Sequence, residues 1–302
     1  MKLQKATRKQ VKLRLNLSAP SGAGKTYSAL LMAYGMTNDW GKIAVIDTEN
    51  GSASLYSHLG DFQTLNLEAP YSPERYSEAI DCCIAAGMEV IIIDSSSHEW
   101  SGAGGCIEAN EKLAQLKYKG NTWSAWNETT PRHDAFVQKV LQCDAHVITC
   151  TRSKMETVMG EGKKVHKVGM KDIQRDGWEY ELTVSLSIDR DTHIAIPSKD
   201  RTGLFEGKDS FIITTDTGKR IIEWCNSGKS LEETKAEKER EDKEQFEMML
   251  SNAISECNGA KDIVSLTAIW NSYKSLQKNE LFLFSIKEAK ELLTPKTPIE
   301  NA

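Results

Sequence analysis

The sequence predicts an α/β fold with a mostly parallel, doubly wound sheet. Segments with the two-residue apolar period of strands alternate along the chain with segments that suit helices. The segment EVIIID at residues 89–94 carries four successive apolar residues, as in a strand that is buried on both faces. Strands that alternate with helices in this way favour a sheet covered by helices on both sides.

The first strand is expected at residues 11–17, where apolar and polar residues alternate. This pattern is more polar than a central parallel strand should be. Ser72 and Pro73 suit the N-cap and first turn of a helix. The elements expected after the first strand are a helix at residues 25–36, a strand at 42–47, a helix from 73 to about 86 and the strand at 89–94.

The middle of the chain continues the alternation and adds a hairpin. Residues 155–170 alternate between polar and apolar around the segment GEG, which predicts a β-hairpin or a mobile loop. The other elements expected here are helices at 105–117 and 131–142, the second opening with Thr130 and Pro131, and strands at 145–150, 180–188 and 192–197.

The character of the sequence changes near Gly228, which we take as the end of a core domain at residues 1–228. Residues 229–248 form a dense mixed-charge run with helical propensity and almost no apolar face, which predicts a charged helical linker. Regularly spaced apolar residues over 249–302 predict a small C-terminal helical module.

Composition and charge exclude several classes of protein. The net charge of −5 argues against a globally basic nucleic-acid binder, although a local basic groove is compatible with it. No apolar run approaches the roughly 20 residues needed to span a bilayer, and the N-terminus lacks a secretory signal. The seven cysteines lack metal-site spacings, so we expect buried free thiols in a cytoplasmic protein without membrane contact.

The strongest functional signal is the string APSGAGKT after the first strand, which fits the Walker A pattern with Ala19 in place of its first glycine. Gly22 and Gly24 let successive backbone N–H groups point at phosphate oxygens at the start of a helix. Lys25 is expected to reach the β- and γ-phosphates, and the Thr26 hydroxyl to ligate Mg²⁺. The residues expected to bind ATP are Ser21, Gly22, Ala23, Gly24, Lys25, Thr26 and Tyr27.

Acidic residues at two further strand ends complete the expected site. The strand at 89–94 carries Asp94 to the carboxyl edge of the sheet, where the carboxylate can hold the magnesium shell directly or through water. In the segment IDTEN, Glu49 is the candidate that polarises water for attack on the γ-phosphate, with Asp47 as its rival. Either carboxylate could instead cap a helix.

These motifs resemble those of phage-encoded AAA/RecA-like ATPases, single-strand-annealing recombination proteins distantly related to RecA. The resemblance covers roughly residues 12–206. It is carried by the strings PSGAGKTYSAL, IAVIDTENGSA, IIIDSSSHEW, TPRHDAFV, TRSK, VGMKDIQRDGWEYE and SKDRTGLF. It implies a RecA-like P-loop NTPase core that uses ATP and Mg²⁺.

The resemblance also implies roles for residues outside the Walker motifs. Glu49 corresponds to the catalytic glutamate. Arg152 stands where RecA-like proteins keep a γ-phosphate sensor, although RecA has glutamine there. Lys199 and Arg201 match a region that reaches the ATP of a neighbouring subunit, which implies a homo-oligomeric ring or filament. The alternative for these cations is a place in surface salt bridges.

Two segments are candidates for contact with single-stranded DNA. The first is the hairpin region after Arg152, where a surplus of cations suits a phosphate backbone, although a solvated hairpin is the alternative. Its candidate residues are Lys154, Lys163, Lys164, Lys167, Lys171 and Arg175. The second is the loop after Asp94, where a tryptophan could stack on bases. The tryptophans considered are Trp100, Trp123 and Trp126, each of which is more often a core residue; His98 and His133 are expected to be structural.

The sequence therefore predicts an ATPase, stimulated by DNA, that binds single-stranded DNA and anneals or pairs strands in phage recombination, in the cytoplasm of a bacterial host. One alternative is a nucleotide-binding adaptor that docks a single-strand DNA-binding protein through the C-terminal module. Another is a helicase-loader-like protein that acts on a replicative helicase.

Overall fold

The computed structural model describes residues 8–159, 165–205, 207 and 210–294. The chain divides at Gly228 into two compact units, residues 1–228 and 229–302. Each unit has its own hydrophobic core. No helix in the described ranges has the length and apolar character that crossing a membrane requires.

Within these ranges, nine strands of the first unit form one sheet. They are β1 Arg14–Ala19, β2 Ile43–Asp47, β3 Gln63–Asn66, β4 Val90–Asp94, β5 His146–Met159, β6 Val165–Asp172, β7 Val184–Ile188, β8 Ile194–Asp200 and β9 Phe211–Ile212. The order is β3-β2-β4-β5-β1-β7-β8-β9, with β6 paired to β5. Every pairing from β3 to β7 is parallel, whereas β6, β8 and β9 pair antiparallel. The mostly parallel sheet is confirmed.

Helices cover both faces of this sheet. The helices of the first unit are α1 Lys25–Thr37, α2 Pro73–Ala85, α3 Ser97–Ser101, α4 Cys106–Lys117, α5 Thr122–Gln142, α6 Trp178–Glu181 and α7 Thr215–Asn226. One apolar cluster joins the sheet to α1 and α7, and the other joins it to α2 and α5. This two-sided packing is the doubly wound arrangement that the alternation of elements predicts.

The polar residues of β1 are buried and fully engaged, which explains why a central strand carries them. The Arg14 guanidinium donates hydrogen bonds to Leu141 O in the last turn of α5, and to Cys143 O and Ala145 O in the α5–β5 connection, the latter two both at 2.6 Å. Asn16 donates to Thr151 Oγ1 at 2.8 Å. Because buried polar groups are stable only with partners, this strand needs its polar neighbours on β5.

Several features of the fold differ from the sequence expectations. The predicted helix 131–142 begins earlier, as α5 at Thr122, because Asn121 caps it by accepting a hydrogen bond from Ser124 N at 3.1 Å. Pro131 lies inside α5, where a proline costs one backbone hydrogen bond without ending this long helix. The sequence patterns also do not predict β3, β9, α3, α6 or α7. The strand expected at 180–188 begins only at Val184, as β7, because residues 178–181 form α6.

The hairpin expected at residues 155–170 is present. The second half of β5 pairs with β6 from Ser153 opposite Asp172 to Met159 opposite Val165. Lys163 and Lys164 lie outside the described residues, as does the side chain of Lys167.

The second unit consists of α8 Leu231–Asn258, α9 Ile263–Ser272 and α10 Glu280–Leu293. The charged run at residues 229–248 is not a separate linker segment. It lies largely in α8, which continues without a break into the expected module. The core of this unit includes Phe282, whose ring stacks on Trp270 with centroids 5.8 Å apart.

The contact between α1 and α7 depends on two facing glycines. A Cβ added at Gly35 would lie 1.9 Å from Thr215 O, and one added at Gly218 would lie 2.1 Å from Met32 O. The two helix backbones therefore touch, and a methyl group at either position must push them apart.

We expect Gly35→Ala to lower the free energy of unfolding by about 1–3 kcal/mol, the usual cost of forcing extra volume into a packed contact. Denaturant unfolding of the full chain measures this. Gly41→Ala, whose Cβ would meet only the Asp39 carboxylate, at 3.2 Å, and no backbone atom, is the control. Equal stability of both variants would show that α1 and α7 separate at no cost.

Candidate nucleotide site

The loop between β1 and α1 has the backbone conformation of a phosphate-binding loop. Gly22 and Gly24 have φ of +80° and +85°, the left-handed region that glycine adopts without strain. No atom lies within 4 Å of a Cβ built on Gly22, so the backbone angle rather than crowding requires glycine there. Gly24 caps α1 without a side-chain hydrogen bond, which leaves N–H groups of the first turn for an anion.

Two side chains of the first turn of α1 turn back toward the strand ends. The buried ammonium of Lys25 donates hydrogen bonds to Ala19 O and Pro20 O, both at 3.0 Å. The Thr26 hydroxyl donates a hydrogen bond to Asp94 Oδ2. The Walker A helix and the Walker B strand therefore meet through one hydroxyl–carboxylate contact.

Asp94 has the environment of a magnesium-shell carboxylate. It is only 2% exposed, and its Oδ1 has no hydrogen-bond partner among the described residues. Burial raises the pKa of Asp94 to about 6, against the lowering effect of the Thr26 hydrogen bond. An unpartnered carboxylate oxygen beside a hydroxyl supplies the oxygen donors that Mg²⁺ prefers. Thr26 and Asp94 therefore fit the ion.

The structure separates the two carboxylates at the end of β2. Asp47 accepts hydrogen bonds from Glu49 N at 2.6 Å and Ala53 N at 2.8 Å, one on each oxygen. Its carboxylate is thus occupied in shaping the turn. Glu49 instead lines a cavity beside the phosphate loop. Arg152 donates to Glu49 Oε1 from Nε at 2.9 Å and from Nη2 at 2.8 Å.

One cavity of about 480 Å³ gathers most of the expected nucleotide site. The expected residues that line it are Ser21, Gly22, Gly24, Lys25, Thr26, Tyr27, Glu49 and Asp94. Ala23 is buried behind the loop. Arg152 lines a second, polar cavity of about 500 Å³, and Glu49 borders both. The carboxylate of Glu49 therefore stands at the boundary between the two cavities.

His193 is a residue of this cavity that the sequence does not reveal. Its Nδ1 lies 3.1 Å from Ala23 O, and because a carbonyl only accepts, Nδ1 carries the proton. The turn that presents it is held by Asp189, whose Oδ1 accepts from Thr192 N at 2.9 Å. The residues DRDTH indicate a turn, but nothing local indicates what the turn faces.

Lys199 and Arg201 do not reach this cavity. Lys199 Nζ donates to Glu179 O at 2.7 Å and Tyr180 O at 2.6 Å, and Arg201 Nη2 donates to Tyr180 O at 3.1 Å. Both cations therefore contact the backbone of α6, and they do not form part of the nucleotide site of their own chain.

The described cations of the hairpin region lie at a different cavity, of about 1050 Å³, which Trp100, Trp123 and Trp126 also line. Lys171 is 2.9 Å from Asp176, and Arg175 is 3.0 Å from Asp134. The surplus of positive charge expected there is therefore reduced by ion pairs. Lys154 is exposed at the same cavity.

The two histidines expected to be structural have different surroundings. His133 is buried, and its Nδ1 lies 3.0 Å from Glu99 Oε1, to which the Cys106 thiol also donates. His98 contacts Thr48 Oγ1 at 2.8 Å beside the polar cavity. Burial, and then Arg152, lower the pKa of His98. The cysteines are all free thiols, and all but Cys82 are buried.

A glycine loop between the first strand and the first helix, with a helix hydroxyl hydrogen-bonded to a carboxylate at the end of another parallel strand, defines a P-loop NTPase. Comparison with protein families matches residues 11–224 to the AAA domain, and the chain belongs to this family of nucleotide-binding P-loop ATPases. Comparison with curated proteins gives no significant match.

We expect Asp94→Asn to stabilise the nucleotide-free protein at pH 8 by about 3 kcal/mol, because asparagine removes a buried charge. The pKa of Asp94 in the folded protein is about 6, above its ordinary 3.8, so the folded state retains the proton between these values. The wild type therefore loses stability as pH rises from about 4 to about 6, whereas the variant does not.

Denaturant unfolding at several pH values without Mg²⁺ checks this. Asp61→Asn, at an exposed site away from the cavity, is the control. A variant advantage that is the same at pH 4 and pH 8 would contradict the assignment of the titration to Asp94.

Proposed function

We propose that the protein is a RecA-like, Mg²⁺-dependent ATPase that binds single-stranded DNA and anneals or pairs strands in phage recombination. The observation that carries the ATPase is the convergence of Lys25, Thr26, Asp94 and Glu49 on one cavity. These groups provide the phosphate contact, the metal ligands and the base that hydrolysis requires.

The residues divide the work of hydrolysis among them. Amides of the loop and the Lys25 ammonium hold the β- and γ-phosphates. Thr26 and Asp94 would hold Mg²⁺, which would supply positive charge to neutralise the phosphate oxygens. Glu49 accepts a hydrogen bond from water and orients it toward the γ-phosphate. To do so, its carboxylate must be released at least in part from Arg152.

Arg152 supports a coupling between DNA and ATP. It starts the part of β5 that extends into the hairpin, and its side chain holds Glu49. Its backbone N–H also donates to Ser97 Oγ at 2.8 Å, next to the Walker B strand. A shift of the hairpin on binding DNA thus moves the partner of the catalytic base, and the same guanidinium can then reach the γ-phosphate as a sensor.

A second candidate function is a nucleotide-dependent adaptor that binds a single-strand DNA-binding protein through residues 249–302. The second unit exposes apolar side chains that its own core does not use, which favours contact with a partner. Val264, Phe284 and Leu292 are examples. If the Lys25→Ala variant, with weakened ATP binding, retains the biological activity of the protein, this alternative is supported.

We expect Glu49→Gln to retain ATP binding and to lower the rate of hydrolysis by roughly 10²–10⁴-fold, the usual contribution of a general base. Lys25→Ala should weaken binding itself. Calorimetry with Mg-ATP and steady-state phosphate release, with and without single-stranded DNA, separate the two effects.

Glu68→Gln, at an exposed site outside the cavity, serves as the control. Full activity of Glu49→Gln would remove Glu49 from the mechanism. The absence of DNA stimulation in the wild type would count against the DNA-dependent part of the proposal alone.

We further propose that Lys199 and Arg201 complete the ATP site of a neighbouring subunit. Glu49→Gln and the double variant Lys199→Ala/Arg201→Ala should each be inactive, since a cation supplied in trans contributes about 10³–10⁵ to the rate. Their mixture should regain activity, because mixed interfaces pair an intact Glu49 with intact cations. A mixture without activity would indicate that these cations act only within their own chain.

A further inference from the structure

One cavity of the first unit is an aromatic cleft that the nucleotide site does not use. Its volume is about 1050 Å³, and the hairpin strands β5 and β6 contribute to its lining together with α3 and α5. Three tryptophans line it: Trp100 from α3, and Trp123 and Trp126 from α5. We call it the tryptophan cleft.

The tryptophans present ring faces at the surface. Trp123 is 85% exposed, so its indole is accessible to a ligand in the cleft. Trp126 stacks on Trp100 with ring centroids 5.4 Å apart and planes inclined by 19°. The stacked pair and the exposed Trp123 ring line the same cleft, which therefore carries aromatic surface from both α3 and α5.

Buried polar contacts fix the position of the Trp100–Trp126 pair. His133 packs edge-on against Trp100, with centroids 5.3 Å apart, and its Nδ1 lies 3.0 Å from the fully buried Glu99. Gln174, which follows β6, donates to Ser96 O at 2.9 Å and contacts Glu99 at 3.4 Å. The stacked pair therefore has a fixed position relative to the end of β6, where the hairpin joins the core.

The charge of the cleft is balanced. Among the described residues that line it, the cations Lys154, Lys171 and Arg175 are matched by the acids Glu156, Asp172 and Asp176. A cleft that bound nucleic acid mainly through phosphates would need a clear surplus of cations. This composition favours a ligand recognised through flat rings rather than through negative charge.

We propose that the tryptophan cleft binds the unpaired bases of single-stranded nucleic acid by stacking, with Trp123 and Trp126 as the contact residues. This inference rests on the proposed function and adds the chemistry of recognition. Every base has a π-face, so stacking tolerates any sequence. Bases of a duplex are already stacked on each other and do not present those faces. Asn127 at the same cleft offers an amide that can both donate to and accept from base edges.

The test compares ligands that have the same phosphates with and without bases. Fluorescence anisotropy of labelled oligothymidine and of an abasic oligomer of equal length is measured with the full chain in Mg-ATP. We expect Trp123→Ala and Trp126→Ala each to lower affinity for oligothymidine about tenfold and to leave the abasic oligomer unchanged. An oligouridine arm tests whether RNA is bound in the same way. A duplex should bind weakly and respond to neither variant.

Leu116→Ala is the matched control, because Leu116 is 88% exposed on α4 and does not line the cleft. Trp123 is so exposed that its removal should leave the melting temperature unchanged, which guards against a folding artefact. Wild-type binding of oligothymidine that neither tryptophan variant weakens would overturn this inference and leave the proposed function standing. An equal loss of affinity for the abasic oligomer would also overturn it. A wild type that binds no single strand would overturn both.

Discussion

The site depends on one contact, the hydrogen bond between the Thr26 hydroxyl and the Asp94 carboxylate. It joins the first turn of α1 to the end of β4 and so fixes the phosphate loop against the sheet. The parallel register places Asp47 directly opposite Asp94, so the turn that carries Glu49 starts at the same edge. The carboxyl ends of parallel strands meet at one edge, and this geometry gathers the three acidic side chains there.

The same edge supports the hairpin. At its β6 end, Asp172 accepts hydrogen bonds from Ser18, one residue before the phosphate loop, and from Thr151. At its β5 end, Arg152 holds Glu49. Both ends of the hairpin therefore bond to residues at or next to the candidate nucleotide site. We propose that a shift of the hairpin alters these contacts, which would connect a ligand on the hairpin with the nucleotide site.

Sequence patterns predict part of this arrangement. Apolar runs and the glycine loop locate the sheet and the Walker residues, because these depend on local order along the chain. Contacts between distant segments have no such signal. His193 reaches the phosphate loop from a turn 170 residues away. The polar residues of β1 are explained only by the structure, in which Asn16 donates a hydrogen bond to Thr151 on β5. Pro131 suggests a helix start, since proline favours the first turn, but the Asn121 cap decides where α5 begins.

The ion pairs of Lys171 and Arg175 change how the hairpin region fits a nucleic acid. Charges counted along the sequence suggest binding through phosphates, yet these two cations are matched by Asp176 and Asp134 in space. The net charge of −5 also works against long-range attraction of a polyanion. A chain with this charge gains affinity for nucleic acid more readily from base stacking, which salt screens little, than from phosphate contacts. Under the proposed stacking mode, this acidic protein is expected to prefer a single strand to a duplex, because a duplex carries more phosphate charge but hides its base faces.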